Sequence, residues 1–568
     1  MNFNNKRFSN LLFTFLFLLP FGLNASDNPP ANADNNCLLH LDKSFYVTGE
    51  IVWYKLYLSA DFKDKPISVR ALVLDGSGTI QHSSFLKTEG KTYVEGYYKI
   101  PFNFRSGMYL LRFSGMNKAS KEPVNLVETQ LPIYNDLEGI AQNASRTESN
   151  MSATAAKINS ELDIQIQLPK TTFTTREKVQ PVITVKDQNG NTLACNLSVS
   201  VVDWEMTGNP ALTNITSGIR PDARMVNILE DKIYLTGKVS KETGESHAAK
   251  ILGAYSEEED IILYTKANES GDFFLSVADF HGDRSFQLLA DPNEYEKISA
   301  QKITQLPVND MADLLVDEKI TSYLVNSRQR KKIFQRYGSV ESQLETGTYR
   351  RGKKSTKPDL DFIIREYEDF EFMSIFFKEN LTPLRFQFNK RDSLYSARMY
   401  NPKNQAATIS EKFYSGKPLI LIDGLATRDG NFLARMRMSD IEKVELFYDL
   451  KKLNRQFKVF GSGGVTKITT YEKIKSLPVF EAENLITING LQKKAAFSSF
   501  NPTQINNNRL QPFFKPQIYW NGALEAKKDG IATFEYFQTD DRSEFRIQVI
   551  AQSEDGRIGV GEVIYTVK

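Results

Sequence analysis

The feature that most narrows the fold is a recurring one: short runs of β-branched and aromatic residues, each closed by a turn signal. Ile51-Val-Trp-Tyr-Lys-Leu-Tyr-Leu58 follows Gly49, Val69-Arg-Ala-Leu-Val-Leu74 stops at Asp75-Gly-Ser-Gly78, and Met108-Tyr-Leu-Leu-Arg-Phe113 follows Ser106-Gly107. Such residues fit a pleated, half-buried surface, and runs at this spacing predict β-sandwiches. The punctuation returns at Gln180-Pro-Val-Ile-Thr-Val-Lys186, closed by Asp187-Gln-Asn-Gly190, and again at Leu197–Val202, Leu235–Val239 and Ser270–Leu275. The chain has 568 residues, 38 of them Phe and 24 Tyr. That length predicts several domains. The fold class expected is mainly β: tandem Ig-like sandwiches plus one small α/β unit.

The first residues set the expected compartment. Lys6 and Arg7 precede an apolar run from Leu11 to Leu19, followed by Pro20, Gly22 and Ala25. This order reads as a secretory leader ending at Ala25; the run is too short for the ~20 residues of a spanning helix. No later run is long and apolar enough to span as a helix. With only two cysteines, Cys37 and Cys195, a disulfide-dense scaffold and a four-cysteine zinc module are excluded. The two fall in different candidate domains, which leaves their pairing open. Four histidines argue against a histidine-rich metal enzyme.

Asn309 to Gly338 carries the clearest helical periodicity, with Asn309 or Asp310 as cap and Val316, Ile320, Tyr323 and Leu324 on one face. Its end overlaps a basic stretch. Residues 327–357 hold ten basic side chains against Glu341 and Glu345, a local charge of +8 that leaves −6 for the rest of the chain and is hidden in the net +2. Such a run is either a solvated helix face with a loop or a contact for membrane phosphates or an acidic protein. The overall balance gives no attraction to nucleic acid.

Few residues carry a chemical signature. Gly347-Thr-Tyr-Arg-Arg-Gly352-Lys353 has P-loop spacing, but Lys354 stands where the magnesium-binding hydroxyl belongs and no strand precedes it. Asp187, Asn189 and Asn191 alternate like the start of a calcium loop, yet Asn-Gly favours a hairpin turn and the later bidentate Glu is missing. Asp279, His281 and Asp283 alternate in a loop, a pattern that more often faces water than a metal. We therefore assign no catalytic, cofactor-binding or metal residues, and expect no enzyme and no cofactor.

Two resemblances organise the chain. His40-Leu-Asp42-Lys43-Ser-Phe-Tyr46-Val-Thr-Gly49-Glu50-Ile-Val-Trp53-Tyr-Lys55 resembles the opening of a macroglobulin MG2-type sandwich, which implies that Gly49 turns and Trp53 is core. The stretch from Glu161 to Asp203 is similar to a further macroglobulin-type sandwich, 232–303 more weakly to a carboxypeptidase-regulatory-like one. Ile518-Tyr-Trp520, Gly530–Tyr536 and Phe545–Val549 resemble the later sandwich of the same family. Its thioester sequence is absent, since Cys37 precedes Leu-Leu-His and Cys195 precedes Asn-Leu-Ser.

The second resemblance lies in three ordered blocks. Pro418-Leu-Ile-Leu-Ile-Asp423-Gly424 reads as a buried strand and turn, Ser439-Asp-Ile-Glu442 as a capping box before the strand Val444–Tyr448, and Phe460-Gly-Ser-Gly-Gly464-Val-Thr-Lys-Ile468-Thr-Thr470 as the close of the unit. This order is similar to the plug domain of TonB-dependent outer-membrane receptors. The segment Leu450-Lys-Lys-Leu-Asn-Arg455 departs from that pattern, and the 98 residues after Thr470 cannot hold a ~22-stranded barrel.

The expected boundaries are a leader at 1–25; a linker at 26–36; an MG2-like sandwich at 37–135; a linker at 136–160; a macroglobulin-like sandwich at 161–205, or to 231; a carboxypeptidase-regulatory-like sandwich at 232–308; a helix and basic linker at 309–360; a plug-like α/β domain at 361–476; and a C-terminal macroglobulin-like sandwich at 477–568. The combination, typical of Bacteroidota, implies a non-enzymatic periplasmic protein at the outer membrane. Its plug-like domain would bind or seal a β-barrel of another chain, either a translocon such as a type IX-like secretion channel or an importer. The alternative is a thioester-less macroglobulin-like protease inhibitor or surface adhesin, with 143–160 or 328–357 as its cleavable segment.

Overall fold

In the strand Ile51–Tyr57, successive side chains face opposite ways, and here both faces are buried. Val52, Tyr54 and Leu56 enter a core shared with Val69, Leu111 and Phe113 of the facing sheet. The strand belongs to a four-stranded sheet ordered Ile215–Ser217, Leu38–Leu41, Ile51–Tyr57, Tyr93–Lys99, which packs on a five-stranded sheet running from Tyr46–Val47 to Ile80–Lys87. The computed structural model describes residues 37–138, 160–209, 211–218, 223–241, 244, 251–290, 298–337, 356–380, 382–405, 408–472, 484–502 and 512–568. The leader, the linker 26–36 and most of the linker 136–160 lie outside that set. Among the described residues no helix is long and apolar enough to cross a membrane, and the chain is mainly β.

Trp53, Lys55 and Tyr57, on the other face of the same strand, are also buried. Lys55 and Tyr57 meet a second sandwich: Lys55 Nζ donates to Leu197 O at 3.1 Å and Tyr57 Oη to Ile550 O at 3.0 Å. This second sandwich corrects the expected boundaries. The strand Cys195–Asp203 lies between Gln517–Ala526 and Glu544–Ser553, antiparallel to both, and Thr172–Phe173 runs parallel to Ile558–Val567. Leu197, Val199 and Val201 share one core with Ile518, Phe545, Ile547 and Val549. The units expected at 161–205 and 477–568 are thus two halves of one sandwich. Cys195–Asp203 is central in its sheet, and without the C-terminal strands it would have a bare hydrogen-bonding edge on each side.

A third sandwich is built from 233–302 and takes one strand from far away. Leu485–Asn489 pairs antiparallel with Asp283–Leu289, so this part of 477–568 belongs here and not to a C-terminal sandwich. Residues 215–217 likewise pair with Leu38–Leu41 of the first sandwich.

The α/β unit has a five-stranded sheet ordered Leu360–Ile363, Ile441–Phe447, Val465–Thr470, Leu419–Ile422, Leu425–Thr427. The first and third sequence blocks run parallel as neighbours, and the second pairs antiparallel with the third. Asp423 ties them together: its carboxylate accepts from Thr470 N at 2.9 Å and Thr470 Oγ1 at 2.5 Å. The glycines of the third block are there for space and backbone angle. A Cβ on Gly463 would sit 2.2 Å from Lys417 O, and Gly464 has φ +86°. One expectation fails. Ser439–Glu442 is no helix cap: Met438–Asp440 is a single 3₁₀ turn, and Glu442 already lies on the strand Ile441–Phe447. The capping box in this unit is Thr408 with Glu411. The departing segment forms a helix, Leu450–Gln456, capped by Asp449. Its Leu453 packs with Phe447, Phe457 and Phe460 against Tyr255 and Ile262 of the third sandwich. Asp423→Ala should cost about 1–3 kcal/mol, two hydrogen bonds to a charged acceptor, read as a lower urea midpoint with unchanged slope.

The long helix spans Glu318–Tyr337, shorter than expected at its start. Neither Asn309 nor Asp310 caps it; Asp317 does, its side chain accepting from Ile320 N at 2.7 Å. Ile320, Tyr323 and Leu324 pack on Phe45, Val47 and Tyr134 of the first sandwich.

Candidate binding site

Where the helix, the first sandwich and the C-terminal segment meet, a cleft encloses about 100 Å³. The turn at Gly49 and the strand after it supply Glu50, Ile51 and Trp53; the helix supplies Ser327, Arg330, Lys331 and Phe334. Trp53 is buried, as the resemblance implied, but it also forms a wall with Phe334, Phe497 and Phe513. Helical spacing of three and four puts Ser327, Arg330, Lys331 and Phe334 on one side of the helix.

The cations of the cleft are Lys43, Lys99, Arg330, Lys331 and Lys515, against the single lining acid Glu50. Lys43 Nζ meets Glu50 Oε2 at 2.6 Å, and Tyr323 Oη donates to Glu50 Oε1 at 2.7 Å. Burial alone would raise the Glu50 carboxyl, but Lys43 and the hydrogen bonds from Val47 N and Tyr323 hold it below its usual value. Lys331 is anchored by Asp136 at 2.8 Å and by Thr48 O at 2.8 Å. The Lys515 ammonium lies 4.3 Å from the Phe497 ring centre.

Arg330 differs from these. It is 7 % exposed; its Nη1 reaches only Met206 Sδ at 3.6 Å, and its guanidinium lies 4.9 Å from the Tyr323 ring centre. Among the described residues its Nη2 has no hydrogen-bond partner, and neither has Nε2 of Gln517, 6 % exposed and lining the same cleft. Both atoms are sealed from solvent, so these two residues line the cleft through their other atoms.

These contacts revise the reading of the basic stretch. Lys332 and Arg336 are exposed. Arg328 donates to Asp136 O and Glu138 O but stays exposed; Arg330 is buried and Lys331 partly so, so only part of the stretch is a solvated face. Arg350, Arg351, Lys353 and Lys354 lie outside the described residues.

A second feature is the hairpin of Leu384–Asn389 and Leu394–Met399 in the α/β unit. Aromatic rings lead out to it from the core: Phe376 to Phe377 at 5.5 Å, Phe377 to Phe386 at 5.6 Å, Phe386 to Tyr395 at 6.4 Å and Tyr395 to Phe388 at 4.9 Å. At the outer end Phe388 is 47 % and Leu394 48 % exposed, beside exposed Lys390 and Arg391.

The remaining sequence candidates fall elsewhere. Asp187 accepts from Asn189 N and Asn191 N, closing the expected hairpin turn. Asp279 pairs with Lys87, Asp283 accepts from Asn489 Nδ2 at 2.6 Å, and among the described residues no group of His, Cys, Asp and Glu is placed to hold a metal. The P-loop-like stretch lies outside the described residues. Cys37 and Cys195 are free thiols in separate cores, and burial pushes both up to about 12. Gln517, Phe497 and Phe513 carried no sequence signal, and Arg330 only its charge.

The chain is thus a mainly β, multi-sandwich protein with an α/β unit and a basic, aromatic cleft. No family model matches it, and no curated protein does. Among solved structures it is similar to the trypsin-activated α2-macroglobulin of Escherichia coli, at 10 % identity over 94 % of this chain and 42 % of that one, with a TM-score of 0.23. The elastase-activated form gives 10 %, 94 %, 43 % and 0.22. The Yersinia pseudotuberculosis adhesin InvE gives 9 % identity over 48 % of this chain and 61 % of that one, with a TM-score of 0.12. The chain spans about two-fifths of the length of the E. coli protein. TM-scores this low carry no argument about function.

Proposed function

We propose that this chain is a non-enzymatic envelope protein that docks from the periplasmic side onto an outer-membrane β-barrel supplied by another chain, a secretion translocon or an importer. The observation that carries the reading is the hairpin: a series of edge-on and tilted ring contacts rooted in the α/β core ends in exposed Phe388 and Leu394, flanked by Lys390 and Arg391. Aromatic side chains and arginine are what docking surfaces favour. Affinity purification of the tagged chain from native outer membranes should recover a β-barrel protein. The double variant Phe388→Ala, Leu394→Ala should reduce that recovery at least tenfold with little change in Tm, because both residues are half exposed. Recovery of no barrel protein by the unaltered chain would remove the reading.

The second reading is a macroglobulin-like inhibitor with a cleavable segment. Of its two candidates, 328–357 begins inside the helix Glu318–Tyr337, where Arg328 and Lys331 are tied to the first sandwich, and 143–159 lies outside the described residues. Limited proteolysis distinguishes the readings: an inhibitor is cut within one of these segments and retains the protease, a docking protein does not retain it.

A further inference from the structure

We propose that the outer edge of the third sandwich is a docking site for an extended acidic segment of another protein, which adds to it as a further strand. The site shares no residue with the hairpin Leu384–Met399 and stands apart from the barrel reading. The strand Ile261–Lys266 is the last in its sheet, paired on one side with Ile251–Ser256 over its full length without a register shift. On its other side no further backbone hydrogen bond reaches it among the described residues. Such an edge is a row of donors and acceptors ready for another chain. Proline and bulges, which close off natural edges, are absent from it, and its one charged residue, Lys266, sits at the end. Ile261 is 37 % and Tyr264 63 % exposed.

The edge opens on a groove of about 460 Å³ with two walls, set by the pleat of the strand. Ile262 turns to the α/β unit, where it packs with Leu453 and Phe457, and from that unit Arg455 and Lys458 line the groove. Leu263 turns the other way, onto the core that Phe274 of the facing sheet also borders. There the Lys121 ammonium lies 4.5 Å from the Phe274 ring centre. An added strand of about six residues, roughly 20 Å long, presents alternate side chains to the two walls. Each wall offers it an apolar surface and a cation.

Charge decides the partner. The groove is lined by the cations Lys121, Arg455 and Lys458 and by no acid. All three are exposed, and among the described residues none of them is in an ion pair. The acids just before the strand are already engaged, Asp260 with Lys467 and Glu259 with Arg284. A segment with Glu or Asp between apolar residues meets the three cations with opposite charge. A second copy of this chain pairing edge to edge would bring the same cations toward one another, and like charges across a strand pair destabilise it.

The test is titration calorimetry of the full chain with the peptide acetyl-Ser-Val-Val-Glu-Glu-Val-Val-Ser-amide, which carries Val and Glu on both of its strand faces. Saturable binding is expected, weakening about tenfold between about 0.05 and about 0.5 M salt. The same peptide with Lys in place of both Glu should bind about tenfold more weakly. So should a version N-methylated at every residue, which has no backbone donors left. The double variant Arg455→Ser, Lys458→Ser and the single variant Lys121→Ser should each weaken the acidic peptide several-fold. Their Tm should be retained, because the three side chains are exposed. Equal binding of the N-methylated peptide overturns strand addition, and equal binding of the lysine peptide overturns the acidic assignment. Affinities unchanged in both cation variants put the peptide elsewhere and overturn the site, as does the absence of binding. A dimer of the chain that Tyr264→Lys dissolves, with no peptide bound, gives the edge to a second copy and overturns the proposal.

Discussion

A chain truncated after Gln511 should lose the cooperative unfolding of its second sandwich and expose apolar surface. The strand Cys195–Asp203 has both neighbours in the removed segment, and its Leu197, Val199 and Val201 share a core with Ile518, Phe545, Ile547 and Val549. Fully burying such a side chain is worth ~1.5–3 kcal/mol. Losing these and Tyr565 removes on the order of 10 kcal/mol, comparable with the ~5–15 kcal/mol that holds a typical domain. Val549→Asp should act in the same direction. Differential scanning calorimetry and dye binding measure both; a truncated chain that keeps the full calorimetric profile would show that the segments fold as two separate sandwiches.

His40→Gln should change the acid stability of the molecule by several kcal/mol. His40 is wholly buried between the first two sandwiches, its Nδ1 2.7 Å from Ser198 Oγ and its Nε2 3.2 Å from Gln548 Oε1. Gln548 Oε1 also accepts from Asn214 Nδ2, so Nε2–H donates and Nδ1 accepts from the serine. Burial, with smaller contributions from Arg546 and Lys55, pushes the imidazole down from 6.5 to about 3. Between these values the unfolded chain binds a proton that the folded one does not. Stability is therefore lost as pH falls from about 6.5 to about 3, in total by about 5 kcal/mol.

Asp42 works against this. Burial pushes its carboxyl up from 3.8 to about 7, so the folded state binds the extra proton in that window and gains stability as pH falls. The stability difference between wild type and H40Q isolates the histidine: relative to the variant, the wild type should weaken from pH 7 to pH 3. Urea titrations at four pH values measure it, and a difference that stays constant with pH would exclude a neutral buried His40.

The polar layer around His40 shows where the sequence pattern falls short. In Cys195–Asp203 and Glu544–Ser553, apolar residues alternate with Ser198, Ser200, Arg546, Gln548 and Gln552. That alternation reads as a sheet with one wet face. In the structure those polar residues are buried against the first sandwich, Ser200 donating to Asp42 O and Gln552 to Leu58 O. Alternation separates the two faces of a strand; the cover for the second face comes from another part of the chain. The cleft was hidden for the same reason. Gly49, Trp53, Arg330 and Gln517 come from three distant stretches of the sequence, and only the Gly49–Trp53 stretch belonged to a recognisable pattern.

The sequence by itself determined the local alphabet of this protein. Branched and aromatic runs between turns became strands, Asp187–Asn191 a hairpin turn, Ile320, Tyr323 and Leu324 the buried face of a helix, and the three blocks of the α/β unit neighbours in one sheet. Only the tertiary structure decided partnership: that residues 162–203 and 517–567 make one sandwich, that Leu485–Asn489 completes another, and that Arg330 and Gln517 line one cleft. Backbone propensity and side-chain period act over a few residues. Strand pairing and cavity walls are set by which buried surfaces fit across hundreds of residues, and a one-dimensional pattern does not encode that fit in any short segment.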